Sequence, residues 1–290
     1  MPKLVDFPCK PQDAVGFSQE IIDKTGLPFP ESYSNSTSLA ALAAAVKEEK
    51  NFPFCGLPFC HTVEAEALGG KINLGDGLIG PRATEKVFTS VEDLMQTPAI
   101  DFNKGRIQQV LLACSLLKER GEKVVLEICG PYTIISSLMD LSIFFKVWRK
   151  NPQLAEELFA FISDNLLNYF KAACDAGADI ISYADPAGSL KILGPKFSEK
   201  TAHLFTIPFL QKARDITRGK ALIHLCPKTT LILTGLDLAE FVDISIPGRT
   251  SYAEAVIAVI GKTDIIGQAC MREESPIVSD RKIKAIRVKN

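Results

Sequence analysis

The chain has 290 residues, 47% of them hydrophobic and 8% aromatic, enough to fill a core in one α/β domain spanning 1–290. Its formal net charge of −1 excludes a bulk electrostatic grip on nucleic acid or an anionic membrane. No apolar run approaches the ~20 residues needed to span a bilayer, and the opening MPKLVDFPCKP lacks a basic-then-apolar signal region, so a cytoplasmic protein is expected.

Strand and helix patterns alternate along the chain. The first strand is expected at 3–8 and the second at 52–57, with an Ala-rich helix between them at 38–50. Residues 62–104 follow, with Gly69, Gly70, Gly75, Gly77 and Gly80 closely spaced. They read as a glycine-rich cap excursion over one end of a sheet. These glycines do not form a dinucleotide-binding loop after a strand. A helix at 105–120 carries Ile107, Val110, Leu111, Cys114 and Leu117 at helical spacing. Strands at 123–128 and 179–183 flank a long helix at 152–176, opened by a proline and closed by Gly177. A helix at 198–218, a strand at 220–225, a strand at 241–246, a helix at 251–260 and a strand at 263–267 complete the series.

Most of these strands are apolar without alternation, as expected for parallel strands buried on both faces. Repeated strand–helix alternation predicts an α/β fold, either a (β/α)8 TIM-type barrel or a doubly wound sheet. Seven candidate strands are one short of the barrel. The tail 279–290 is basic and has only Ile283, Ala285, Ile286 and Val288 as apolar residues, a poor closing strand. A barrel incomplete at its C-terminal end is therefore expected.

The eight cysteines, Cys9, Cys55, Cys60, Cys114, Cys129, Cys174, Cys226 and Cys270, show no knot-like spacing and read as reduced thiols. Two of them lie where chemistry is expected. In Ala-Leu-Ile-His-Leu-Cys-Pro, residues 221–227, an apolar strand runs into His224 and Cys226. Residues two apart on a strand share a face, and barrel enzymes build their sites at the carboxyl ends of strands. Imidazole and thiolate together suit Zn²⁺, although a hydrogen-bonded His beside a packed Cys gives the same pattern. A catalytic zinc site needs a third protein ligand. Cys270, just past the strand 263–267, is the candidate, with Asp185, Glu64 and Glu66 as carboxylate alternatives. Asp185, in Tyr183-Ala-Asp-Pro186, ends another strand and suits a substrate, a metal or a helix N-terminus. Asp185 and Glu64 are the candidate catalytic carboxylates. If 61–66 is helical, Glu64 and Glu66 diverge and at most one faces the site. His61 and His203 read as structural.

Several of these segments together resemble the methylcobamide:coenzyme M methyltransferases of the uroporphyrinogen decarboxylase superfamily. Pro58-Phe-Cys-His-Thr-Val-Glu-Ala-Glu-Ala-Leu-Gly69 resembles that family's second strand and turn. Asp185-Pro-Ala-Gly-Ser with Ile192-Leu-Gly-Pro-Lys196 is similar to its fourth-strand motif. His224-Leu-Cys226 with Thr229-Thr230 and Ile232-Leu233 is similar to its zinc strand. The resemblance covers about residues 4 to 268. It implies a (β/α)8 barrel, a zinc ion held by His224 and Cys226, and methyl transfer to or from a corrinoid on a partner protein. The acceptor it implies is a small thiol bound to zinc; related enzymes act on O-methyl substrates. The family's third ligand, a Cys in a Pro-Gly-Cys-Gly segment, has no counterpart here, and Cys270, which is not the homologous residue, is the candidate to replace it. The shortened C-terminal part also admits a non-catalytic relative that binds a corrinoid protein or a thiol. The decarboxylase branch is a further alternative, but its Arg-rich first-strand segment corresponds here to residues 5–14, which have no Arg.

Overall fold

Five apolar runs form short strands that lie side by side in one sheet. The computed structural model describes residues 4–8, 16–271 and 276–289. The strands of its main sheet are β1 (Cys55–Leu57), β2 (Val124–Cys129), β3 (Ile180–Ala184), β4 (Leu222–Leu225), β5 (Ala239–Ser245), β6 (Ile265–Ile266) and β7 (Lys282–Val288). Their spatial order is β1-β2-β3-β4-β6-β7-β5. The first five in that order are parallel, while β7 runs antiparallel to both β6 and β5. Every residue of β2, β3, β4 and β6 is buried, which is why their sequences are apolar without alternation.

One face of the sheet packs on helices α1 (Ser36–Glu49), α3 (Gly105–Glu119), α5 (Pro152–Asp175) and α7 (Ile207–Thr217); α2 (Val63–Ala67), α4 (Pro131–Leu138) and α6 (Leu190–Thr201) fall between them in sequence. Leu126, Ile128, Ile181, Ile223 and Leu225 meet Leu39, Val110, Leu166, Phe170 and Phe209 there. Helix α8 (Pro227–Gly235) follows β4, and α9 (Tyr252–Ala258) follows β5. The alternate strand residues Val125, Ile180, Leu222, Ile266 and Ile283 form a second core with Tyr252, Ala255, Val256 and Val259. In a closed barrel this second face is the interior, with helices only outside. Here α9 lies against it, and β1 and β5 end the sheet. The mainly parallel α/β sheet is that of a TIM-type barrel left incomplete towards its C-terminal side.

Several sequence expectations need correction. Residues 4–8 carry no strand, and Lys3 and Cys9 lie outside the described residues. The tail expected to make a poor strand forms β7, which pairs along the whole of β5, with Ile283, Ala285 and Ile286 buried. β5, expected to be buried on both faces, is an edge strand with Glu240, Phe241, Asp243 and Ser245 exposed. The helix expected at 198–218 is interrupted by a π-turn at Ala202–Thr206, ahead of Pro208, which has no N–H to give to the preceding turn. The glycine-rich excursion contains α2, a ribbon pairing Ile72–Asn73 with Arg82–Ala83, and a helix at Val91–Met95. Its loop also holds the N-terminal segment, since Leu78 and Gly77 carbonyls accept from the N–H groups of Gly16 and Phe17.

Candidate active site

The parallel register sets Glu127 of β2 beside Ser182 of β3, and Ser182 beside His224 of β4. These three side chains therefore project on one face, Glu127 and Ser182 from mid-strand and His224 one residue before the end of β4. A cavity of about 340 Å³ opens on that face, lined among others by Glu127, Ser182, Val125, Phe52, Phe54, Lys47, Lys50 and Met271. Phe52 and Phe54 stack with centroids 5.2 Å apart, making one wall apolar.

His224 is buried at 2% exposure. Its Nε2 lies 3.1 Å from the Ala269 carbonyl and 3.2 Å from the Tyr252 hydroxyl. Burial lowers its pKa to about 4, so the ring is neutral at pH 7. A neutral ring that donates Nε2–H to the Ala269 carbonyl leaves Nδ1 as a bare lone pair, and Nδ1 is buried without a hydrogen-bond partner. A carbonyl holding one nitrogen while the other offers its lone pair is the usual setting of a metal-ligating histidine. Cys226 is half-buried and N-caps α8; its N–H donates to Tyr183 at 2.9 Å. β4 stops at Leu225, so the strand alternation invoked for Cys226 ends one residue short of it. Cys270, also half-buried, lies near Tyr252. His224 thus fits a metal ligand, but among the described residues no three His, Cys, Asp or Glu side chains converge into a metal-holding group.

Asp185 lies at a helix N-terminus, one of the roles its sequence allowed. Its carboxylate accepts from Thr133 N at 2.8 Å, Thr133 Oγ1 at 2.7 Å and Tyr132 N at 3.2 Å, at the start of α4. The fit requires glycines: a Cβ on Gly130 would stand 2.5 Å from the Asp185 Cβ, and one on Gly188 2.6 Å from its Oδ2. Burial nevertheless raises its pKa to about 6, against those hydrogen bonds. Glu64 is buried on α2, as divergence from Glu66 requires, and its Oε1 accepts from Cys129 N at 2.7 Å. Its Oε2 is buried without a partner, and burial pushes its carboxyl above the ordinary carboxylate value. Glu66 instead pairs with Arg106.

A model of the uroporphyrinogen decarboxylase (URO-D) family matches residues 8–270, a span that takes in β1 to β6 and every candidate residue. The chain belongs to the uroporphyrinogen decarboxylase family. This family member is similar to the methylcobamide:CoM methyltransferase MtaA of Methanosarcina barkeri, 29% identical over 245 residues, covering 83% of this chain and 71% of the relative. It is also similar to the methylcobamide:CoM methyltransferase MtbA of Methanosarcina acetivorans, 28% identical over 249 residues, covering 83% and 73%. A solved methyltransferase from Methanosarcina mazei superposes with a TM-score of 0.61 at 29% identity, covering 78% of this chain and 69% of that one.

Sequence reasoning did not name Glu127 or Arg106, and it did not pair His61 with either. His61, read as structural, has its Nε2 2.8 Å from Glu127 Oε1. Arg106, inside a helix read only for its apolar spacing, is buried and clamps the loop beyond β1. It donates from Nη1 to Cys60 Sγ at 3.0 Å and from Nη2 to Thr62 Oγ1 at 2.8 Å, besides pairing with Glu66. The available signal was the charge itself: Glu127 interrupts the apolar run Val-Val-Leu-Glu-Ile-Cys, and a buried charge needs a partner. His203 is exposed on the π-turn, away from the cavity lining.

Proposed function

We propose that this chain moves a methyl group between a methylcorrinoid, carried on a partner protein, and a small thiol. His224 and Cys226 would hold a zinc ion, with Cys270 as the third ligand. The single observation that carries this reading is the buried, unpartnered Nδ1 of His224, oriented by the Ala269 carbonyl. The names of the similar methyltransferases support the reaction class. When bound, zinc would lower the pKa of a coordinated thiol so that it is a thiolate near neutral pH.

The rest of the site holds shape around that centre. Asp185 fixes the start of α4, and Glu64 holds the Cys129 N–H, so both carboxylates brace the end of β2. Tyr252 covers His224, and the metal site would complete when Tyr252 and Cys270 rearrange around it.

Two measurements test this. Purified protein should carry about one zinc per chain, lost in the double variant His224→Ala, Cys226→Ala; full retention of metal in that variant overturns the ligand assignment. Given methylcobalamin and coenzyme M, the protein should form methylated thiol. The lack of three gathered donors among the described residues favours a second reading, a relative that binds the corrinoid protein or a thiol without turnover. Zinc-loaded protein that binds the thiol but makes no product would support that second reading.

A further inference from the structure

We propose that the cavity along β1 binds an aromatic carboxylate, its ring on the Phe52–Phe54 wall and its acid group at Lys50. The inference deepens the methyl-transfer reading above, on which the role of the bound molecule as substrate rests.

The cavity exists because β1 ends the sheet and carries Gly56 at its centre. Among the described residues no strand pairs with that free edge, and Gly56 puts no side chain into the space beside it. The N-terminal segment lies along the opening instead. Gly16 and Phe17 line it, their N–H groups held by the Leu78 and Gly77 carbonyls.

The walls select a flat ligand. Phe52 and Phe54 stack with only 13° between their planes. Phe17 and Phe59 form a second aromatic pair on the same cavity, edge to face with centroids 4.8 Å apart. A ring laid on such walls gains offset-stacked and edge contacts that an aliphatic body of equal area lacks. Met271 adds a thioether, which also favours ring edges.

The two ends of the cavity differ in charge. Lys47 is paired with Glu122, and Glu49 accepts from the Ser18 hydroxyl. Lys50, exposed at the C-terminal end of α1, has no ion pair among the described residues. A carboxylate there meets an uncompensated ammonium. At the other end Glu127 and Ser182 stand level in the register. The Glu127 carboxylate disfavours a second anion beside it, which turns the ligand's acid group towards Lys50. Gly56 stands beside Val125, with Phe54 two residues before the one and Glu127 two after the other, so the two levels are about 13 Å apart. That length takes a ring with a substituent at each end, whereas a two-carbon thiol such as coenzyme M touches few of the walls. The far substituent lies over Ser182, one strand spacing, about 4.8 Å, from His224.

The test reads binding separately from turnover. 3-Phenylpropanoate is titrated calorimetrically into wild type, Gly56→Ile and Lys50→Gln. A Cβ at Gly56 meets only Phe54, at 3.8 Å, so Gly56→Ile fills the cavity without displacing the backbone. It should weaken binding about 30-fold or more, with a thermal melt confirming that it folds. Lys50→Gln leaves the core untouched. It should weaken binding of the acid about 5-fold and leave that of 3-phenylpropanamide, which has no charge, unchanged. Wild type should bind 3-cyclohexylpropanoate about 5-fold more weakly than the phenyl acid. Wild-type affinity in Gly56→Ile, equal losses of acid and amide in Lys50→Gln, or equal binding of the phenyl and cyclohexyl acids overturns the assignment. With methylcobalamin as donor, 3-(4-mercaptophenyl)propanoate should exceed coenzyme M in kcat/KM, and the reverse order overturns its role as substrate. If the phenyl acid binds as described but neither thiol is methylated, the methyl-transfer reading fails and the cavity assignment stands. If coenzyme M is methylated while the phenyl acid does not bind, the assignment fails and that reading stands.

Discussion

Asp185 carries a structural role at the head of α4. It satisfies two backbone N–H groups and one hydroxyl at the head of α4, all shielded from water. Asp185→Ala would strand those donors, and chemical denaturation should register a loss of about 3 kcal/mol. Arg106 is a comparable case in the loop beyond β1. Arg106→Lys keeps the charge but not the planar fork that reaches Cys60, Thr62 and Glu66 together. The variant should lose about 2–3 kcal/mol of stability, read in a thermal melt.

At the scale of elements, the interior-side face depends on β7. Ile283 is fully buried in the second core, so Ile283→Ala should cost about 2–4 kcal/mol, read as a shift of the urea midpoint at unchanged slope. The parallel strands were legible because burial on both faces leaves an unmistakable apolar run. β7 was misjudged because Lys-Ile-Lys-Ala-Ile-Arg-Val was weighed by its basic content, although its alternation is the period-two mark of a strand with one wet face. β5 was misjudged the other way: its apolar letters resemble those of a central strand, and only the insertion of β7 between it and β6 leaves it at the edge. The site divided similarly. His224 and Asp185 could be proposed from the sequence because each lies near or just past a strand's end, a local signal. The His61–Glu127 pair joins residues far apart in sequence, and neither residue alone announces the other.

For the whole molecule, two buried groups set opposing dependences on pH. His224 has a folded pKa of about 4 against an ordinary 6.5, so the unfolded chain binds the extra proton between those values. That contribution to stability is present above pH 6.5 and is lost as pH falls towards 4. Asp185 has a folded pKa of about 6 against an ordinary 3.8, so here the folded chain binds the extra proton. Its contribution is present below pH 3.8 and is lost as pH rises through 6. Each is worth about 3 kcal/mol, and across pH 4–6 they largely cancel. Single variants should unmask them in urea unfolding. Relative to wild type, His224→Gln should gain stability as pH falls from 6.5 to 4, and Asp185→Asn should gain it as pH rises from 4 to 6. The order of strands also sets a timetable. β5 leaves the ribosome roughly forty residues before β7, the strand that joins it to the sheet, an interval of a few seconds at ordinary translation rates. Through that interval the nascent sheet has β4, β6 and an orphan strand with no bridge to them, so chaperone demand should peak just before β7 emerges.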